Sequence, residues 1–164
     1  MSRENKFRAK NIKTNQWVYG GYYKHLKRTP SPIGDNIKED DYISLISISG
    51  FSDWNMPKPV EYFAVEESTV GQYTGLKDKN EKEIYEGDIV EIGDFIYLIK
   101  FEIGSFMLVR CSDEVDMYAE FDNCWNDDVY PLCQLHWESN ADEDILYNCE
   151  IIGNICDNPE LLNA

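Results

Sequence analysis

The sequence predicts a mainly β protein built from antiparallel strands, and three observations carry that reading. Aromatic residues reach 13%, with eleven Tyr and seven Phe, and these side chains favour the pleated surface of a sheet over a helix. Short β-branched and aromatic runs recur along the chain, bounded by Gly, Pro, Asn or Asp, which is the pattern of strands joined by tight connections. Between residues 72 and 90 two turn signals follow closely, each flanked by such runs.

Residues 7–23 (FRAKNIKTNQWVYGGYY) read as a hairpin with a polar turn over 11–15 and a bulge or bend at Gly20-Gly21. Residues 29–41 hold two prolines and a glycine and read as a loop. Residues 42–48 (YISLISI) form a short strand, and 50–59 a second loop in which Trp54 and Met56 cap a core from outside or form a contact surface. Residues 61–70 carry a strand that gives way to a turn, or a single helical turn, over 66–69. Residues 95–101 (FIYLIKF) and 106–111 (FMLVRC) pair as a hairpin across a connection of four residues, 102–105. Residues 113–128 are acidic and weakly patterned, a loop or short helix. Residues 129–137 (VYPLCQLHW) read as an edge strand, because Pro131 has no amide to give a ladder. Residues 149–155 close the sheet with a bulge or bend at Gly153, and Asn158-Pro159 opens a final turn.

The stretch 72–90 (QYTGLKDKNEKEIYEGDIV) is the most informative. Gln72, Tyr73 and Thr74 are strand formers and Gly75 interrupts them. Leu76 anchors the segment to a core. Asp78 begins a turn in which a side-chain oxygen accepts a later backbone amide. Asn80 tolerates a left-handed conformation. Glu86-Gly87-Asp88 is the second reversal, before a strand opening at Ile89.

Residues 73–88 resemble, nearly residue for residue, the run Tyr-Thr-Gly-Leu-Lys-Asp-Lys-Asn-Gly-Lys-Glu-Ile-Tyr-Glu-Gly-Asp of the YopX family of phage and prophage proteins. The departure is Glu81, where the family usually has Gly, which leaves Asn80 to take the left-handed position alone. Lys6-Phe7-Arg8-Ala9 resembles the family's opening, and 151–155 with 158–162 its close. The resemblance implies an SH3-like small barrel, over 70–164, with an N-terminal β subdomain carrying long loops over 1–69. It implies an origin in phages of Gram-positive hosts and brings no catalytic residues. The matched positions Tyr73, Gly75, Leu76, Lys77, Asp78, Lys79, Asn80, Tyr85, Glu86, Gly87 and Asp88 are read as structural.

Composition narrows the functional classes. Cys111, Cys124, Cys133, Cys149 and Cys156 make an odd count, and the charged opening MSRENKFRAK lacks an apolar signal segment. Buried thiols in a cytosolic protein are expected, rather than a disulfide framework or zinc site. No apolar run reaches the roughly 20 residues of a membrane span. Only His25 and His136 offer an imidazole. A Cys133–His136 dyad is disfavoured because residues three apart on a strand point to opposite faces. No phosphate loop, zinc-protease pair or calcium loop is found, and the acidic pairs around 113–116 and 127–128 read as solvated. No cofactor or metal is expected.

The net charge is −16, unevenly spread. Residues 1–30 hold eight Lys or Arg against one acid, and residues 101–164 one base against fifteen acids. The leading expectation is a non-enzymatic binding protein that self-assembles, as a homo-oligomer, or engages a host or phage protein, with no membrane partner. A rival is a nucleic-acid-binding accessory protein. It would use Tyr19, Tyr22 and Tyr23 with the basic set Arg3, Lys6, Arg8, Lys10, Lys13, Lys24, Lys27 and Arg28. A third is an acidic mimic of nucleic acid, through Asp127, Asp128, Asp142, Glu143 and Asp144.

Overall fold

The computed structural model describes residues 5–163 apart from 32, 35, 50–58, 103, 112–127 and 139–143. Trp54, Met56, Asp127, Asp142, Glu143 and the acidic stretch 113–127 therefore lie outside the described residues, as does Arg3. The architecture is mainly β with antiparallel pairing predominant. The chain divides into two compact units, Glu4–Gln72 and Tyr73–Ala164.

In the N-terminal unit, β1 (Phe7–Lys10), β2 (Trp17–Leu26), β3 (Tyr42–Ser49) and β4 (Val60–Ala64) form an antiparallel meander in which each strand pairs with the next. The first residues of β5 (Gly71–Asp78) pair with β1 on its other side. One bridge joins Asn11 to Val65, carried by Ile12 N–H to the Ala64 carbonyl at 3.0 Å and Glu66 N–H to the Lys10 carbonyl at 2.9 Å. The turn after β1 is held by the Asn11 side chain, which accepts the Lys13 amide at 2.8 Å. Ala9, Ile46 and Val65 are fully or nearly fully buried, and Val18, Tyr22, Ile48 and Phe63 pack on them. Short 3-10 turns occupy Glu39–Asp41 and Glu67–Thr69.

At Gly20-Gly21 the strand changes partner: the pairing of β2 with β1 ends at Gly20 and its pairing with β3 begins at Gly21. Gly20 is there for room: a Cβ would overlap the Ser47 carbonyl oxygen.

In the C-terminal unit, β7 (Asp88–Ile92), β8 (Phe95–Glu102), β9 (Ser105–Arg110), β10 (Val129–Pro131) and β12 (Cys149–Asn154) form a five-stranded sheet of order β10-β9-β8-β7-β12. Among the described residues no pairing joins its edges β10 and β12. The remainder of β5 pairs antiparallel with β6 (Glu83–Tyr85) and parallel with β11 (Ile145–Leu146). The runs FIYLIKF and FMLVRC are apolar without strict alternation because the sheet is buried on both sides. Val90, Tyr97, Ile99 and Leu108 face Ile84, Leu132, Leu135 and Leu146. Ile89, Leu98, Met107 and Val109 face Leu161 and Leu162, from the closing 3-10 turn Pro159–Asn163.

Two expectations change here. Glu102 pairs directly with Ser105, so the connection between β8 and β9 is two residues shorter than read from the sequence. In VYPLCQLHW only Val129–Pro131 is edge strand, and Leu132–Glu138 is an α-helix, α1. Leu132 and Leu135, three apart, put one helical stripe into the core. The expected bulge is present, between Ile151 and Gly153.

Candidate functional site

The run 73–88 works as a clasp of backbone and side-chain bonds. Asp78 is 1% exposed. One of its carboxylate oxygens accepts the amides of Asn80 and Lys82, both at 2.9 Å. The other accepts the amide of Ile151 at 3.1 Å. Asp88 is equally buried and accepts the Tyr85 amide at 2.8 Å. Gly87, at φ +81°, gives its amide to Ile99 and accepts that of Ile155, each at 2.8 Å. The Thr74 hydroxyl donates to the Ile84 carbonyl at 2.9 Å, and the Tyr73 and Tyr85 rings meet at 5.5 Å. Gly75 sits at φ +89°, and Leu76 packs half-buried against the core. Outside, Lys77 pairs with Asp144 at 2.9 Å and Lys79 with Glu150 at 2.5 Å. Each ammonium is thereby held above its ordinary pKa, chiefly by that hydrogen bond.

The turn differs from expectation at one residue. Glu81, not Asn80, takes the left-handed conformation, at φ +62°. Asn80 is held instead by its amide bond to Asp78. Glu81 thus occupies the backbone position that glycine fills without strain.

No nucleophilic site is assembled from the sequence candidates. On α1, Cys133 and His136 share a face, so the strand-based objection to a dyad does not hold. Cys133 is exposed, and the Asp144 carboxylate within reach of the His136 charge is engaged by Lys77, which lowers its pKa. Cys149 lies buried with its thiol pushed up to about 12, first by burial and then by the Asp78 and Asp88 charges. Burial likewise raises Cys111 to about 11. Among the described residues no group of three His, Cys, Asp or Glu side chains is placed to hold a metal ion.

The surface with chemistry to offer is one face of the N-terminal sheet. Strand alternation places Arg8, Lys10, Trp17, Tyr19 and Tyr23 on the same side of β1 and β2. The register carries that side across Ser47 to Tyr62 on β4. Tyr19 is 44% and Tyr62 57% exposed, and the Tyr23 and Tyr62 rings meet edge to face at 5.9 Å. Arg8 and Lys10 stand over the Trp17 ring at 4.8 and 5.4 Å, a cation–π arrangement. Among the described residues, none of the positions on this side of β1–β4 carries a carboxylate. Tyr22 does not join Tyr19 and Tyr23. It turns to the opposite face, where its ring packs on Phe7 and its hydroxyl bonds Ser44. Tyr62 takes its place, and only the β3–β4 register reveals it.

Lys24, Lys27 and Arg28 are engaged within the unit. Lys24 pairs with Glu39 and Glu67, which raises its pKa and lowers that of Glu67. Lys27 donates to the Asp40 carbonyl at 2.8 Å, and Arg28 pairs with Asp41 at 3.4 Å. These pairs flank a separate groove of about 430 Å³, lined by Asn11, Ile12, Tyr42, Ser44, Glu66 and Glu67 among others.

The family model described as YopX protein matches residues 6–163. The chain belongs to the YopX family. As a YopX-family chain it places the family run in the clasp around Asp78 and Asp88. The crystal structure of protein EF1440 from Enterococcus faecalis is similar, at 24% identity and a TM-score of 0.49, over 99% of this chain and 100% of that one. Comparison with curated proteins finds no match. No helix among the described residues is long and apolar enough to cross a membrane.

Proposed function

We propose that this YopX-family chain is a non-enzymatic binding protein of phage or prophage origin. It works in the cytosol of the bacterial host, self-assembles, and engages its target through the outer face of the N-terminal sheet. One observation carries the reading. The two buried carboxylates of the family run are committed to backbone amides, while the exposed tyrosines stand on a face free of acids among the described residues. A catalytic carboxylate needs an open lone pair beside a cleft, whereas a binding face needs exposed aromatic area. The SH3-like barrel implied for 70–164 belongs to the same reading. It is supported by the β7–β8–β9 meander and by the return of β12 onto β7 through a bulge, a device that bends strands in small barrels.

The alternative of an acidic mimic draws on the charge division. Residues 73–164 carry a net −17 (5 bases against 22 acids) and residues 1–72 a net +1 (10 against 9). Capture of tagged protein from infected cells separates the readings. Recovery of bound material, protein or nucleic acid, is expected to fall for a Tyr19→Ser/Tyr62→Ser variant that melts like the parent. Unchanged recovery would move the binding surface elsewhere and overturn the assignment. Light scattering on a sizing column, at low and high salt, tests self-assembly. A monomer at both would remove that arm.

A further inference from the structure

We infer that the outer face of the N-terminal sheet binds single-stranded nucleic acid, with bases stacked on Tyr19, Tyr23 and Tyr62. The inference rests on the binding-protein reading above and names what that face holds.

The spacing carries the argument. Tyr19 and Tyr23 are four residues apart on β2, about 13 Å at the rise of a strand. Between them lies Gly21, paired with Ser47, and the Ser47 hydroxyl donates to the Gly21 carbonyl at 3.2 Å. A Cβ at Gly21 would stand 3.1 Å from that hydroxyl. The middle of the face is therefore a low floor, walled along β2 by Tyr19 and Tyr23 and on the β4 side by Tyr62, which is in register with Gly21 and Ser47. Flat aromatic rings fit such a slot, and every base has a face to stack on a tyrosine. A duplex does not fit, because its bases are already stacked on one another.

Charge selects the occupant. The chain carries 31 acids, yet this face has none among the described residues, and Lys10 lies at its β1 end over Trp17, next to the buried Arg8. A neutral saccharide would stack on the same rings without needing that asymmetry, whereas a polyanion needs a surface clear of carboxylates. With so few cations the phosphate contribution is small. Affinity should come from stacking and fall only gently with salt, with a slope of log K on log salt of about −1.

Fluorescence anisotropy of the full chain with labelled oligo-dT and oligo-U tests this directly, with a duplex and a neutral oligosaccharide as competitors. Both single strands are expected to bind, and whichever binds more tightly identifies DNA or RNA as the source. Tyr62→Ser and Tyr19→Ser should each weaken binding about ten-fold. Tyr62→Phe and Tyr19→Phe should restore it, since the ring is what stacks. Trp137→Ser, at a side chain 76% exposed in the C-terminal unit, should change nothing. Competition by the oligosaccharide as strong as by unlabelled strand would overturn the inference in favour of sugar stacking. Absence of strand binding, with capture from cells still dependent on Tyr19 and Tyr62, would overturn it while leaving the binding-protein reading standing. Loss of both would end both.

Discussion

The carboxylate of Asp78 accepts the amide of Ile151 at 3.1 Å across 73 residues of chain. It does so while holding its own turn through Asn80 and Lys82. One buried side chain therefore sets the turn after β5 and fixes where β12 passes it. Removing it leaves three amides without their acceptor. Asp78→Ala is expected to lower stability by about 3 kcal/mol, since bonds to a charged acceptor are worth about 1.5–3 kcal/mol and buried orphan amides add a penalty. Asp78→Asn should cost less, because one oxygen remains. Urea unfolding followed by far-UV circular dichroism ranks the two variants.

Glu81 at φ +62° makes the opposite prediction. A side chain in the left-handed region costs about 1–2 kcal/mol, and glycine pays part of that back in unfolded-state entropy. Glu81→Gly, which restores the family residue, should stabilise the protein by about 1 kcal/mol. A midpoint that stays put or falls in the same urea series would contradict the assigned turn.

Gly20 tests the packing of β2 on β3. A Cβ there meets the Ser47 carbonyl, a backbone atom that yields only if the strands part. Gly20→Ala should cost about 3 kcal/mol or more, at the upper end of overpacking effects. Gly93→Ala, where φ is +62° but the space is open, should cost only the conformational strain of about 1–2 kcal/mol. Thermal melts of the two variants should differ accordingly.

Stability should show an acid limb and an alkaline limb. Lys24 holds Glu67 below its ordinary pKa, the Lys38 amide and then Arg28 do so for Asp41, and Lys77 does so for Asp144. A lowered folded pKa gives stability that is complete above the unfolded value of about 4 and is lost as pH falls through the folded value. Lys24, Lys77 and Lys79 are raised. Their contribution is complete below about 10.4 and is lost as pH rises through the folded values. The melting temperature should plateau between roughly pH 5 and 10. Lys24→Met should lower the plateau and shrink the acid limb. A limb of unchanged size would show that the Lys24 pairs are too well screened to matter.

Thiol reactivity should follow burial. Cys149 and Cys111 are held protonated, at about 12 and 11, and Cys133 is exposed. Brief alkylation at pH 8 followed by peptide mass spectrometry should mark Cys133 and spare Cys111 and Cys149 until denaturant is added, because only an accessible thiolate reacts.

Local chemistry made much of this protein legible from its sequence. Asp78 and Gly87 announced their turns, and the aromatic runs announced β3, β8 and β9, because turn propensity and pleated packing act over a few residues. Tertiary structure decided what depends on distant neighbours. The helix Leu132–Glu138 hides behind a proline in a run that suits a strand equally well, and only the core receiving Leu132 and Leu135 selects between them. Tyr22 turns inward and Tyr62 joins Tyr23 because the register of three strands says so, and register is set by which face finds a core. The basic residues near the start find their acids at Glu39, Asp41 and Glu67 only once β2 and β3 have paired.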